Sequence, residues 1–112
     1  MLPRRYKLKR ESHFKKIFHQ GKAYQGEFIR LKVLKNNLKI SRFAFIVSLK
    51  VSKKASQRNK IKRRLEEIVR LRLNQIKPGL DLIISVSPEI ISQNYQTIEK
   101  KLISLFIKAK AV

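Results

Sequence analysis

The chain has 112 residues, room for one compact domain and not for two. Its apolar content of 43% can supply a core, which argues against a disordered basic tail. Against that core stand 28 Lys and Arg and only 7 Asp and Glu, a net charge of +21 that calls for a polyanionic partner, nucleic acid or an anionic membrane.

Residues 1–10 form a basic N-terminal arm, with Arg4, Arg5, Lys7, Lys9 and Arg10, and are expected to be extended. Ser12 is placed to cap a short helix whose Phe14, Ile17 and Phe18 share one side, and Gly21 sits where that helix would stop. Two strand-like runs follow. From Phe28 to Lys35, Ile29, Leu31 and Val33 alternate with Arg30 and Lys32. From Arg42 to Leu49, Phe43, Phe45, Val47 and Leu49 point one way. Asn36-Asn37 between them is turn chemistry, and together the two runs predict an antiparallel hairpin.

Ala55 to Ile76 is the longest helical pattern. Ile61, Leu65, Ile68, Val69 and Ile76 occupy one arc, Asn59, Arg63 and Arg70 lie opposite, and Pro78-Gly79 ends it. Leu80 to Ser87 is dense in Ile, Leu and Val and reads as a central strand. Ser87-Pro88 opens a short helical turn. Tyr95, Ile98, Leu102, Leu105, Phe106 and Ala109 then make the stripe of a last amphipathic helix. The order α-β-β-α-β-α predicts an α/β two-layer sandwich, a small mixed sheet with helices packed on it. Nothing repeats at a fixed period and no stretch reads as a linker, so residues 1–112 are expected to form a single domain.

The chemistry concentrates in Lys50 to Arg64, KVSKKASQRNKIKRR, with eight basic residues and no acid. A lysine-rich loop here enters a helix N-terminus, where free N–H groups and the dipole already favour phosphate. Arg adds a planar fork, and Asn59 can offer an amide to a base edge or a 2′-hydroxyl. A merely solvated face is the ordinary fate of a charge run. Eight uncompensated charges of one sign on a chain of +21 make that a poor account of this one. Phe14 and Phe18, four residues apart, suit either the core or a stacking platform for bases.

These residues carry a family resemblance. Val47-Ser48, Lys50, Ala55 and Arg58-Asn59-Lys60-Ile61-Lys62-Arg63 resemble the signature of the bacterial ribonuclease P protein, in which a strand leads through a Lys-rich crossover into a helix bearing Arg-Asn-Arg-x-Lys-Arg. The basic arm, Phe14-x-x-x-Phe18, Gly21 and Gly79-Leu80-Asp81-Leu82-Ile83 are similar too. Three positions depart from the pattern. Lys60 stands for the usual Arg, Leu49 for a lysine, and Glu66-Glu67 for Arg-Glu.

The resemblance implies the protein subunit of an endoribonuclease whose catalyst is a large RNA with bound Mg²⁺, and no cofactor held by the protein. It implies ribonuclease P RNA and precursor tRNA as partners, and removal of the tRNA 5′ leader as the reaction. It assigns RNA binding to Lys50, Lys53, Lys54, Arg58, Asn59, Lys60, Lys62 and Arg63. Phe14, Phe18, Ile29 and Leu31 become candidates for a leader cleft beside the sheet. It also implies a left-handed β-α-β crossover, against the usual rule.

Other classes fare worse. Metal-dependent nucleases gather carboxylates, whereas Glu11, Glu27, Glu66, Glu67, Asp81, Glu89 and Glu99 are scattered, and Glu66 and Glu67 diverge by about 100° on a helix. His13 and His19 fall on different faces, and the three glycines are isolated. No catalytic or metal-binding residue is therefore expected. No apolar run nears the roughly 18 residues of a membrane span, the arm leads into no signal-peptide core, and cysteine is absent. No membrane partner and a cytoplasmic location are the expectation. A small structural RNA-binding protein, such as a ribosomal one, is the rival that composition leaves open.

Overall fold

A computed structural model describes residues 2–112. Its elements are α1 (Glu11–Gln20), β1 (Lys22–Gln25), β2 (Ile29–Lys35), β3 (Arg42–Ile46), α2 (Ala55–Leu71), β4 (Leu80–Val86) and α3 (Tyr95–Lys108), with 3-10 turns at Arg4–Tyr6 and Pro88–Ser92. The strands form one mixed sheet in the order β1-β2-β4-β3. β4 runs antiparallel to β2, with Leu31 opposite Ile84, and parallel to β3, with Phe45 opposite Ile84. Its run of Leu82, Ile83 and Ile84 is buried on both faces, as its composition predicts for a central strand.

The expected hairpin between the second and third apolar runs does not form. Asn37 does take the positive φ of a turn, at 60°. The turn nevertheless carries the chain past the end of β4, which is inserted between β2 and β3. The hairpin in the structure joins β1 to β2, with Lys22 opposite Val33. β1, KAYQ, is too short and polar to announce itself by alternation. β3 also ends at Ile46, so that Leu49 lies in the following turn, 67% exposed.

Alternation gives the sheet two different faces. Ile29, Leu31, Phe43, Leu82 and Ile84 point to one side, where Ile61, Leu65, Ile68 and Val69 of α2 and Ile98, Leu102, Leu105 and Phe106 of α3 bury them in the main core. Ala44 and Ile83 point to the other side, where Ile17 of α1, Leu8 of the arm and part of Phe14 form a smaller cluster. The sandwich is thus uneven. Two helices cover most of one face, and one short helix covers part of the other.

The crossover from β3 through α2 to β4 is left-handed, and local chirality shows why. Phe43 faces α2, and its carbonyl accepts the N–H of Leu8 at 2.8 Å, so its polar backbone edge is turned toward the arm. For an L-residue on a strand running upward with its side chain toward the viewer, N–H and C=O point right. The arm is therefore to the right of β3, β4 is to its left, and α2 lies in front. A leftward step through a helix in front is a left-handed turn.

Several local expectations change. The arm is not extended throughout. It makes a 3-10 turn, buries Leu2 and Leu8, and bridges Lys7 to Phe43 along the outer edge of β3. Ser12 does not cap α1, which begins at Glu11 after Arg10 with no side-chain cap. Gly21 does end α1, but at φ −72°. Glycine is needed there because a Cβ would stand 2.4 Å from the Ile17 carbonyl oxygen. α2 stops at Leu71, and Ile76 reaches the core from the irregular turns after it.

One polar cluster ties the strand ends together. Asp81, 5% exposed, accepts from Arg42 Nε at 2.9 Å and Nη2 at 2.8 Å, and from Asn36 Nδ2 at 2.8 Å. Arg42 Nη1 also stands 3.3 Å from His13 Nδ1 of α1. The pairing of β3 with β4 thus carries an ion pair at its start.

Candidate RNA interface

The acid-free run begins where β3 ends. Val47 and Val51 anchor the connecting loop in the core, which leaves Lys50, Lys53 and Lys54 exposed around the entrance to α2. The helix starts after Lys54, with no side-chain cap and no acid in its first turn. Ser52 braces the loop locally. Its hydroxyl donates to Gln57 Oε1 at 2.6 Å and accepts the Lys54 N–H at 3.2 Å. A helix N-terminus with no carboxylate and three lysines around it has the free N–H groups and the local positive charge that favour an anion.

The helix divides the motif between two directions. Asn59, Lys60 and Arg63 are exposed along the outer face of α2. Arg58, Lys62 and Glu66, spaced four apart, form a second, half-buried row, in which Lys62 and Glu66 are turned toward the arm and the edge of β3. In that row Arg58 Nη1 donates to the Ser52 carbonyl at 2.8 Å, and Glu66 faces Lys7 at 3.8 Å. Lys62, between them, lines a groove with Phe14 of α1 and Ile46 of β3. None of Lys50, Lys53, Lys54, Arg58, Lys60, Lys62, Arg63 or Arg64 has an ion-pair partner among the described residues. The acids beyond the motif, Glu67 on α2 and Glu99 on α3, are already engaged. Hydrogen bonds from Arg70 hold the Glu67 carboxyl below the usual carboxylate range, and Arg72 pairs with Glu99 at 3.1 Å.

The cleft candidates separate cleanly by burial. Ile29 and Leu31 are 1% and 0% exposed beneath the helix layer, so their side chains are closed to any ligand. This corrects the choice of strand face. Phe14 is half-buried against the smaller cluster. Phe18 is 49% exposed and, with Arg30, Lys32, Ile83 and Ser85, lines a cleft of about 160 Å³ on the open part of the sheet. Lys32 Nζ lies 5.4 Å from the Phe18 ring centroid and donates to the Phe18 carbonyl at 2.5 Å. Arg30 and Lys32 were legible as the polar half of the β2 alternation. That half lines the cleft because α1 covers only part of its face of the sheet.

A basic helix entrance, an outer row of amide and guanidinium groups, and an aromatic cleft with two cations can together grip phosphates and stack a base. The family model for ribonuclease P matches residues 2–110. The chain belongs to the ribonuclease P protein family. It is similar to the ribonuclease P protein component of Pseudanabaena sp., at 37% identity over 100% of this chain and 97% of that protein. The corresponding protein of Fusobacterium nucleatum is 38% identical over 94% of this chain and 97% of its own length.

Solved ribonuclease P proteins superpose on it as well. The protein from Thermotoga maritima does so with a TM-score of 0.81 at 30% identity, over 88% of this chain and 93% of the other. A mutant of the Staphylococcus aureus protein gives 0.90 at 23% identity, over 96% and 91%, a likeness of fold. Among the described residues no group of three or more His, Asp or Glu could hold a metal, and no helix is long and apolar enough to cross a membrane.

Proposed function

We propose that the chain is the protein subunit of a ribonuclease P, docking on the catalytic RNA through α2 and holding the 5′ leader of precursor tRNA in the cleft beside α1. The observation that carries this reading is the unpaired basic run at an uncapped helix entrance, in a chain of this family. Lys50, Lys53, Lys54, Asn59, Lys60 and Arg63 would contact the phosphates and riboses of the catalytic RNA. Phosphate contacts of this kind orient an RNA and leave its sequence largely unread. Arg58 would act partly by bracing the loop, and Lys62 would face the groove leading toward the leader. Phe18 would stack a leader base, with Arg30 and Lys32 on the adjoining phosphates. Phe14 would support Phe18 from the core side.

The scattered carboxylates do not fit a protein-held Mg²⁺ pair, so hydrolysis would belong to the Mg²⁺-dependent RNA partner. The setting would be cytoplasmic.

The test is cleavage of precursor tRNA by a bacterial ribonuclease P RNA at low Mg²⁺, with and without this chain, mapping the new 5′ end. Stimulated cleavage at the mature 5′ end, weakened by Lys62→Ala and by Phe18→Ala, is the expected result. RNA binding without stimulation would instead mark a structural RNA-binding protein. Cleavage by the chain alone would overturn the assignment of chemistry to the RNA.

A further inference from the structure

The proposed RNA contacts gather at the end of the sheet where α2 begins and on the face that carries α1. At the opposite end lies a larger groove, about 630 Å³, on the helix-bearing face where α3 stops short of the sheet corner. That volume is within the roughly 300–1,000 Å³ of small-ligand sites. β2 and β4 have seven residues each, so the two ends of the sheet are roughly 23 Å apart.

Four lysines from four different segments ring the groove: Lys22 at the start of β1, Lys35 at the end of β2, Lys77 before β4 and Lys110 after α3. No acid lines it, and none of the four has an ion-pair partner among the described residues. Like charges do not converge without cost, and here no fold-internal carboxylate compensates them. The floor is of another kind. Tyr24, Val33 and Leu80, half-buried, lie on the same sheet face, and Lys22 Nζ sits 5.6 Å from the Tyr24 ring centroid.

The backbone is also unusual here. Asn37, Gly79 and Lys110 have φ of 60°, 81° and 58°, and all three line the groove. At Lys110 the left-handed turn closes α3 through Ala111 N–H to the Phe106 carbonyl, at 2.8 Å. That position ordinarily takes glycine. A long cation held there, beside three others, is not what helix termination alone selects.

We infer that this corner binds a nucleotide of RNA, with the base laid on Tyr24, Val33 and Leu80 and its flanking phosphates on the four lysines. An aromatic and aliphatic floor suits a planar base, whereas an acidic peptide would leave that floor unused. The chain would then have a second RNA site, on the other face and end of the sheet from the cleft at Phe18, and it could bridge two segments of RNA. The inference does not depend on the ribonuclease P reading, since nucleotide binding here is measured without catalysis.

The experiment is a titration of the full chain with adenosine 5′-monophosphate, followed by amide and methyl NMR, with parallel titrations of inorganic phosphate and a tetraglutamate peptide. Shifts at Val33, Gly79, Leu80 and Ala109 are expected, with adenosine monophosphate binding about tenfold tighter than phosphate. Lys35→Gln with Lys77→Gln should weaken it about threefold to tenfold. Lys110→Gly, which relieves the left-handed backbone and so keeps the fold, should weaken it about threefold. Shifts confined to Lys50–Arg64 would overturn the proposal. So would equal affinity for phosphate, or a peptide that matches the nucleotide at these residues.

Discussion

Arg42 and Lys62 are both basic, yet their surroundings give them opposite work. Arg42 neutralises Asp81 inside the fold, whereas Lys62 faces a groove with no ion-pair partner of its own. Removing Arg42 leaves a buried carboxylate with only Asn36 beside it, so Arg42→Ala should destabilise the chain by about 3 kcal/mol in a denaturant titration. Lys62→Ala should change stability by less than about 0.5 kcal/mol while weakening RNA binding. Arg58 stands between the two, since its hydrogen bond to the Ser52 carbonyl gives it a share in the loop. Arg58→Ala should therefore lower both stability, by about 1 kcal/mol, and RNA affinity.

Among elements, α2 begins with neither a side-chain cap nor an acid in its first turn. A Ser, Thr, Asp or Asn at its N-cap would satisfy an orphan N–H, and an acid would complement the dipole. The chain instead places Lys54 there, with two more lysines in the preceding loop. The contrast with α3 is direct, since Asn94 caps that helix by accepting the Thr97 N–H at 2.8 Å. Lys54→Asp should accordingly stabilise the protein by about 1 kcal/mol in a denaturant titration. In a binding assay the same variant should weaken RNA association, because a carboxylate then occupies the phosphate position. A variant that gains stability and keeps its RNA affinity would show that the helix entrance is not a contact.

Over the whole molecule, a charge of +21 sets the balance between core and repulsion. The main core spans α2, α3 and all four strands, counting the half-buried Tyr24 of β1, so it is sufficient to define the fold. The unpaired cations around it repel one another until anions intervene. Sulfate, compared with chloride at equal ionic strength, should raise the thermal midpoint by about 5 °C, equivalent to roughly 1 kcal/mol for a domain of this size. A midpoint that ignores the anion would mean that the basic sites are too dispersed to bind it.

Much of this was legible from the chain alone, because it rests on local patterns. The period of apolar residues located α1, α2, α3 and the strands β2, β3 and β4, and the order of Lys50 to Arg64 pointed to the family. The short polar strand β1 escaped, since four residues carry too little alternation to be read. What tertiary structure decided is adjacency. Alternation divides β2 into Ile29-Leu31-Val33 and Arg30-Lys32 without saying which half meets a ligand, and helices on both sides of the sheet removed the usual clue. Nor could local pattern show that β4, almost forty residues after β3 begins, would insert itself between β2 and β3. That pairing depends on burying Leu82, Ile83 and Ile84 on both faces at once, which only the central position allows. The corner where Lys22, Lys35, Lys77 and Lys110 converge is likewise a product of strand order, assembled from residues that no spacing along the chain would join.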